Sequence, residues 1–404
     1  MLKKVNVRDI RLGMFINELC GNWMDHPFWK RAFLLEKQKD LDSLQNCSLE
    51  EVWIDTEKGL DVETDIAVAD EGKKQQKAET ALQEAAVSEK KAVPHVAVHE
   101  EVQRAQKIHV RAKKEVAFMF KESRLGKVLE TGEAVTLVDE IIQSVSRNPG
   151  AFLSLARLKN KDDYLYLHSV AVCALMVALG RQLDIEGDAL KSIGMAGLLH
   201  DVGKVMIPDE VLNKPGRLTD EEFEIIKSHP QVGWKILNES FDVDDIVLDV
   251  CLHHHEQVDG MGYPDKLSGE ALTLFARIGA VCDIYDALTS DRPNKRGMSP
   301  ADAIRKMAEW QGGHFDKTVF HAFVKTVGIY PTGTLVKLKS GRLGVVADQS
   351  AKSLTTPVVK VFFSTKANAP IFPELIDLSK VQDSIASVED PASWKLDLKM
   401  MTGI

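Results

Sequence analysis

The stretch Gly194-Met-Ala-Gly-Leu-Leu-His-Asp-Val-Gly-Lys204 decides the reading of this chain. Apolar residues from Ala189 to Leu199 recur at helical spacing, and the helix they define ends on an imidazole and a carboxylate, His200 and Asp201. Gly203 follows and is read as the point where the backbone turns. Such an end is a metal platform. The two carboxylate oxygens can bridge two cations while the ring nitrogen fixes one, and paired metals activate water and clamp phosphate oxygens. A His-Asp pair alone is weak evidence, because a solvated helix end carries the same residues.

The surrounding residues change its weight. His168 sits in Tyr-Leu-Tyr-Leu-His-Ser-Val, His229 precedes Pro230, His253-His254-His255-Glu256 follow Val250-Cys-Leu, and Asp283 lies in Ala-Val-Cys-Asp-Ile-Tyr-Asp286. Six of the twelve histidines thus fall between 168 and 255, on or next to apolar helices, where an unpaired polar group is costly. Each alone reads as a hydrogen-bonded core histidine. Together they supply five imidazoles and two carboxylates, which suit a binuclear site with positions left open for water.

Helical periodicity extends on both sides. Val116, Met119 and Phe120 mark one segment and Val135, Val138, Ile141, Ile142 and Val145 the next, stopped by Asn148-Pro149-Gly150. Helices are predicted over Leu165 to Leu183, Asp188 to His200 and Thr219 to His229, the last opening on the capping-box spacing Thr219-x-x-Glu222. Ser299-Pro300 starts another, and Asp316 to Val327 is closed by Gly328. From about 100 to 328 the chain is therefore all-α. Beyond Pro331 the period becomes two, over Leu335–Leu338, Leu343–Val346 and Val358–Phe363, the pattern of a short antiparallel β-unit without chemistry of its own.

Residues 1–62 mix short apolar alternations with aromatic residues Trp23, Phe28 and Trp29, and read as a small α+β domain whose aromatic cluster is core. A linker rich in Ala, Glu, Lys and Gln covers 63–100, where His95 and His99 read as solvated. A helical connector spans 101–150, the main helical domain 151–328, and a β-rich unit with its tail 329–404. The fold class is mainly α.

Composition narrows the function. With 404 residues, 44% of them hydrophobic, the chain can bury at least one large core. Fifty-one basic against 60 acidic residues give a net charge of −9 without a Lys/Arg run, which argues against a nucleic-acid polymer or a polybasic membrane contact. Five scattered cysteines suit a reducing compartment. The N-terminus has no apolar signal core, and the apolar run Val170 to Leu179 is too short to cross a bilayer, so a cytoplasmic protein without a transmembrane segment is expected.

The motifs His200-Asp-Val-Gly-Lys204, Leu-Asn-Lys-Pro-Gly-Arg-Leu-Thr219, His229-Pro, His254-His-Glu-Gln-Val-Asp-Gly-Met-Gly-Tyr-Pro264 and Asp283-Ile-Tyr-Asp-Ala-Leu-Thr-Ser-Asp-Arg-Pro293 resemble the HD-GYP family, a branch of the HD superfamily of metal-dependent phosphohydrolases. The order Val7-Arg-Asp-Ile-Arg-Leu-Gly-Met-Phe-Ile16, Trp23, Pro27-Phe28 and Val52-Trp-Ile-Asp55 resembles a small domain of unknown function often found before HD-GYP. The resemblance implies an all-helical HD domain that hydrolyses cyclic di-GMP to pGpG, and in many members onward to GMP, with iron or manganese; which of the two is the end product here the sequence leaves open. It makes His168, His200, Asp201, His229, His254, His255 and Asp283 the ligands of two metal ions, with Asp201 bridging and a metal-bridging hydroxide as nucleophile; His253 is assigned nothing. It places Lys204 near the scissile phosphate and Arg292, Lys295 and Arg277 on the substrate, and it offers the Gly-Tyr-Pro loop as a contact for diguanylate cyclase domains.

Two departures stand out. Asn294 replaces the usual aromatic after Arg-Pro, and Tyr164 stands where some members carry a third-metal glutamate, so two metals are expected unless Asp162 or Asp163 substitutes. The alternatives are hydrolysis of another cyclic dinucleotide, such as a mixed GMP-AMP ring, and a non-catalytic receptor or scaffold. A homodimer is compatible with the sequence, which specifies no oligomer.

Overall fold

A computed structural model describes residues 2–20, 33–35, 37–38, 41, 44, 51–56, 58–60, 78–84, 96, 98–129, 131–156, 164–214, 216–240, 243–291, 297–350 and 353–394. Two compact units divide the chain: residues 1–78 with 219–221, and residues 79–218 with 222–404.

In the first unit strands β1 (Leu2–Asn6), β2 (Phe15–Cys20), β3 (Phe33–Leu34) and β4 (Glu51–Asp55) form an antiparallel sheet in the order β1-β4-β2-β3. Alternation puts Val5, Ile16, Val52 and Ile54 on one face, where they pack with Met14 and Leu35. Trp23, Phe28 and Trp29 lie outside the described residues, as does His95.

The second unit begins with a long hairpin, α1 (Val98–Arg124) and α2 (Gly132–Arg147). Glu101, fully buried on α1, accepts two hydrogen bonds from the Arg147 guanidinium at 2.7 and 2.8 Å and one from Ser144 at 2.8 Å. This pairing fastens the two helices. Asn148 ends α2 as expected, but Pro149 opens a further helix, α3 (Pro149–Ala156). Proline has no N–H to lose at a first turn, so the same residues that stop one helix start another.

The core is α4 (Tyr164–Gln182), buried from Leu167 to Gly180 and packed against α1, α2, α3, α5 (Gly187–Leu199), α10 (Leu274–Thr289) and α12 (Lys317–Val327). With 19 residues and a mean hydropathy of 1.4 it is long and apolar enough to cross a membrane, contrary to the estimate from its central run, because flanking tyrosines and leucines extend the helix. Seventy-eight per cent of that window is buried inside the fold, however, so it is the central helix of the bundle. A Cβ on Gly197 would meet the Cys173 backbone at 2.7–2.8 Å, so glycine there lets α5 press onto α4.

After α5 come a 3-10 helix (Val202–Met206), α6 (Asp209–Leu212), α7 (Asp220–Lys227), α8 (His229–Asn238) and α9 (Asp245–His253), then α10, α11 (Pro300–Glu309) and α12. The helix predicted over Thr219 to His229 stops at Lys227, and α8 begins at His229 with Pro230 in its first turn. Gly203 does not make the expected turn. It lies within the 3-10 helix, without a left-handed φ, and a Cβ there would sit 2.0 Å from the His229 carbonyl oxygen and 2.5 Å from Gly233 N. Its role is to let α8 approach.

The C-terminal sheet holds β5 (Leu335–Leu338), β6 (Arg342–Asp348), β7 (Val358–Ser364), β8 (Ala369–Asp377) and β9 (Ile385–Val388), antiparallel in the order β8-β7-β6-β5-β9. A short helix, α13 (Pro391–Trp394), follows, and Trp394 meets Phe363 edge to face.

Candidate active site

Three helices and the ends of two more bring the predicted residues to one place. His168 comes from the buried face of α4, His200 and Asp201 from the end of α5, His229 from the first turn of α8, His254 and His255 from just past α9, and Asp283 from the middle of α10. Each is buried or nearly so. Asp201 is the hub. Its Oδ2 lies 3.4 Å from both His168 Nε2 and His200 Nε2, and its Oδ1 lies 3.3 Å from His229 Nε2 and 3.7 Å from His254 Nε2. Asp283 Oδ1 joins the first group, 3.0 Å from His168 Nε2 and 3.9 Å from His200 Nε2, while Oδ2 stands 3.8 Å from His255 Nδ1.

The imidazoles are aimed by their other nitrogens. Carbonyl and carboxylate oxygens can only accept, so Nδ1 donates in each case: His168 to Asp286 Oδ2 at 2.6 Å, His200 to Gly197 O at 2.9 Å, His229 to Ile226 O at 2.7 Å, and His254 to Cys251 O at 3.0 Å. All four Nε2 atoms are left facing inward. His229 Nε2 and His254 Nε2 come within 3.3 Å of each other, a repulsive approach for two lone pairs with nothing cationic between them. His200 Nε2 and Asp201 Oδ1 are fully buried and make no hydrogen bond among the described residues. Orphaned donor atoms of this kind fit a divalent metal, and three sets of them lie within 4.8 Å: His229, His254 and His255; His168, His200 and Asp283; His200, Asp201 and His254.

Electrostatics agree with the geometry. Burial, with neighbouring His200 and His229, pushes the His254 imidazolium down to about 3. His229 and His255 are lowered chiefly by burial as well, so these rings are neutral and can ligate. Burial alone would raise Asp201, yet His200, Lys204 and the His168 bond hold its carboxyl well below the usual range; His168 does the same for Asp283. Lys204 Nζ donates to Asp201 Oδ2 at 2.6 Å, and the two aspartates keep it protonated against the cost of burial.

Arg292 and Lys295, with Asn294, lie outside the described residues, as do Asp162 and Asp163. Arg277 is largely buried and its guanidinium is engaged within the fold, donating to Asp316 Oδ2 at 3.1 Å and Gly269 O at 2.7 Å. Four further side chains, to which the sequence assigns no positioning role, help to hold the site. Asp286 orients His168, and its spacing of three from Asp283 on one helix face was the available signal. Tyr164 stacks on His168 with centroids 5.5 Å apart, and Tyr263 of the Gly-Tyr-Pro loop stacks on His255 at 4.8 Å. His253 bridges Asp249 at 2.8 Å and Asp265 at 3.1 Å, fastening that loop to α9. Within the loop Gly260 takes a left-handed φ of 78°, as its sequence suggests.

The buried thiols of Cys173, Cys251 and Cys282 are shifted upward by burial and are inert packing groups.

Comparison with known proteins points the same way. The HD domain family matches residues 142–319, and a domain of unknown function, DUF3391, matches residues 2–134, a span that runs on through α1. The chain is 34% identical over 166 residues to the 3'3'-cGAMP-specific phosphodiesterase 1 of Vibrio cholerae, covering 41% of this chain and 38% of that one. It is 38% identical over 179 residues to the cyclic di-GMP phosphodiesterase response regulator RpfG of Xanthomonas campestris pv. campestris, covering 43% and 47%. Similarity to the cyclic di-GMP phosphodiesterase PA4108 of Pseudomonas aeruginosa reaches 50% identity over 410 residues, 100% of this chain and 96% of that one. A likeness of that extent, over a site built on the HD pair, means that this chain belongs to the HD-GYP family of HD-domain phosphodiesterases.

Proposed function

We propose that the protein is a metal-dependent phosphodiesterase that hydrolyses cyclic di-GMP to pGpG and then to GMP. The observation that carries this is Asp201, whose two oxygens each face a separate group of inward-aimed imidazoles. His168, His200 and Asp283 hold one metal and His229, His254 and His255 the other, with Asp201 shared; the pair is iron or manganese, and the catalytic domain is taken as 151–328. When bound, the metals supply an activated water and neutralise charge on the phosphoryl oxygens.

The chain's own groups complete the site. Lys204 carries a fixed positive charge beside Asp201 and meets the scissile phosphate, where negative charge grows during in-line attack; this strengthens its contact in the transition state over the ground state. Arg292 and Lys295 hold the second phosphate of the ring. Walls formed by α4, α5 and α10 exclude bulk water behind the cluster, which strengthens each of these interactions. We place the protein in the cytoplasm, where its substrate is made. The Gly-Tyr-Pro loop, with Met261 60% exposed, is a contact for diguanylate cyclase domains, and a homodimer is the assembly to test.

A second substrate is favoured by one observation, the 34% identity to a 3'3'-cGAMP-specific enzyme. The test is the full chain purified anaerobically with iron or with manganese, incubated with cyclic di-GMP and with 3'3'-cGAMP, and followed by chromatography beside a His200→Ala/Asp201→Ala variant. Metal-dependent pGpG formation by the parent alone is expected. Preference for the mixed ring selects the second substrate, and binding without turnover in either metal makes the protein a receptor.

A further inference from the structure

Behind the metal-ligand cluster, between the segment that follows α9, the first turns of α10 and the start of α12, lies a small cavity of about 10 Å³. That is room for a single water molecule. Its polar lining is Glu256, Arg277, His314 and Asp316, and the rest is apolar. Glu256 is 2% exposed; its Oε1 accepts from Asp265 N at 2.6 Å and the backbone N–H groups of Lys266 and Leu267 also favour the carboxylate, but its buried Oε2 makes no hydrogen bond of good geometry among the described residues. Arg277 uses Nη1 and Nη2 on Asp316 and Gly269, but its buried Nε–H likewise has no acceptor among them. One orphaned acceptor and one orphaned donor therefore line the same water-sized space, where leaving both unmatched would be costly.

We propose that this cavity is a specific site for one water, joining Glu256 Oε2 to Arg277 Nε, and that Glu256 and Arg277 are positioning residues for the metal ligands. The second half rests on the metal-site reading above; the first does not. Glu256 follows His254 and His255 directly, and through Oε1 it holds Asp265 of the Gly-Tyr-Pro loop. Arg277 stands on α10, the helix that carries Asp283, and its partner Asp316 caps α12 by accepting from Val319 N at 2.9 Å. A bridge between the two ties the imidazoles past α9 to the carboxylate on α10. His255 has most need of it: its nearest carboxylate oxygen is 3.8 Å away, so neighbouring backbone and the Tyr263 ring must set its direction.

The first test is a crystal structure of the full-length protein at about 1.5 Å, with one water expected within hydrogen-bond distance of both atoms. A dry cavity, or direct contact between Glu256 and Arg277, overturns the water site. The second test measures Mn²⁺ affinity, from the paramagnetic resonance of the free ion, for Glu256→Gln, Arg277→Gln, the double variant and Arg277→Lys. Each single change is expected to weaken Mn²⁺ about tenfold, and the double variant no more than its worse parent, since either change cuts the same bridge. Arg277→Lys keeps a cation for Asp316 and removes the N–H at the cavity; it should show the same loss with the unfolding midpoint of the metal-free protein unchanged. Unaltered affinity in all variants, or losses that multiply to about a hundredfold in the double, overturns the positioning role. Failure of the unmodified protein to bind either Mn²⁺ or, under anaerobic conditions, Fe²⁺ overturns the metal reading and the positioning role with it, while the crystallographic water would still uphold the cavity site.

Discussion

The two sides of the ligand cluster are held by different physics. On one side His168, His200 and Asp283 project from α4, α5 and α10, three helices packed on one another, and both imidazoles are pinned by short Nδ1 hydrogen bonds to Asp286 and Gly197. On the other, His229 and His254 are pinned through Nδ1 in the same way, but His255 lies just past the end of α9, and the ring of Tyr263, on a glycine-bearing loop, covers it at 4.8 Å. Directional bonds fix where a nitrogen points; a stacked ring only narrows its range. Changes on the helix-held side should therefore redirect a ligand, whereas changes on the loop-held side should loosen one.

Asp201 belongs to both sides, so its loss has the largest expected effect. Asp201→Asn keeps the volume and removes the charge that faces four imidazoles and Lys204. Turnover of cyclic di-GMP should fall by about 10³-fold, the scale for losing a principal electrostatic stabiliser, and metal content per chain should drop on both sides. An Asn variant with its full metal complement would remove Asp201 from its shared position. Asp286→Ala comes next. Without its acceptor, His168 is free to turn, and metal affinity should fall about 10–100-fold. Asp286→Asn can still accept from Nδ1 and should lose much less; equal losses would show that the carboxylate charge, and not its direction, is what matters.

The helix-held side was the more legible in sequence, for a physical reason. The helices there are long apolar runs that the sequence shows as elements, but α4 is buried all round, so its period marks no one inward face, and it was the resemblance to HD-GYP that singled out His168, His200, Asp201 and Asp283. Even so, periodicity does not see a partner from another helix, and the Asp286–His168 bond spans 118 positions. Local signals mislead where one residue serves two purposes: His229, the predicted last residue of a helix, instead begins α8 with Pro230 in its first turn, and Gly203, expected to turn the backbone, is a contact with His229. At the C-terminus the three inner strands of the sheet are apolar runs, largely buried, and were legible, whereas both edge strands were missed. β8 carries Pro370 and Pro373, which an edge strand tolerates because it has no second neighbour to donate to, and its Phe372 is 91% exposed, so the apolar pattern is lost there.

The difference between the two sides extends to protons. Burial disfavours the His168 cation, but the carboxylates of Asp201, Asp283 and Asp286 around it override that and raise its pKa well above the ordinary value, whereas burial leaves His229, His254 and His255 neutral. Metal entry on the helix-held side must therefore expel a proton from His168. Affinity there should fall about tenfold for each pH unit lowered beneath the raised pKa, the dependence for one displaced proton, and calorimetric titration in two buffers of different protonation enthalpy should register that release. No release at neutral pH would mean that His168 is already neutral.

The smallest effect belongs to Tyr263. Its ring lies over His255 on one side, and Lys227 Nζ stands 5.8 Å from its centroid. Aromatic stacking contributes roughly 1 kcal/mol beyond simple burial, so Tyr263→Ala should weaken metal binding on the loop-held side about fivefold, and Tyr263→Phe, which keeps the ring, should lose less. Hydrogen exchange of the amides from 260 to 268 separates a loosened ligand from an unfolded one: faster exchange confined to that loop is the expected result. A loss as large as that of Asp286→Ala would mean that Tyr263 directs its histidine as firmly as any hydrogen bond in the cluster, and the contrast between the two sides would collapse.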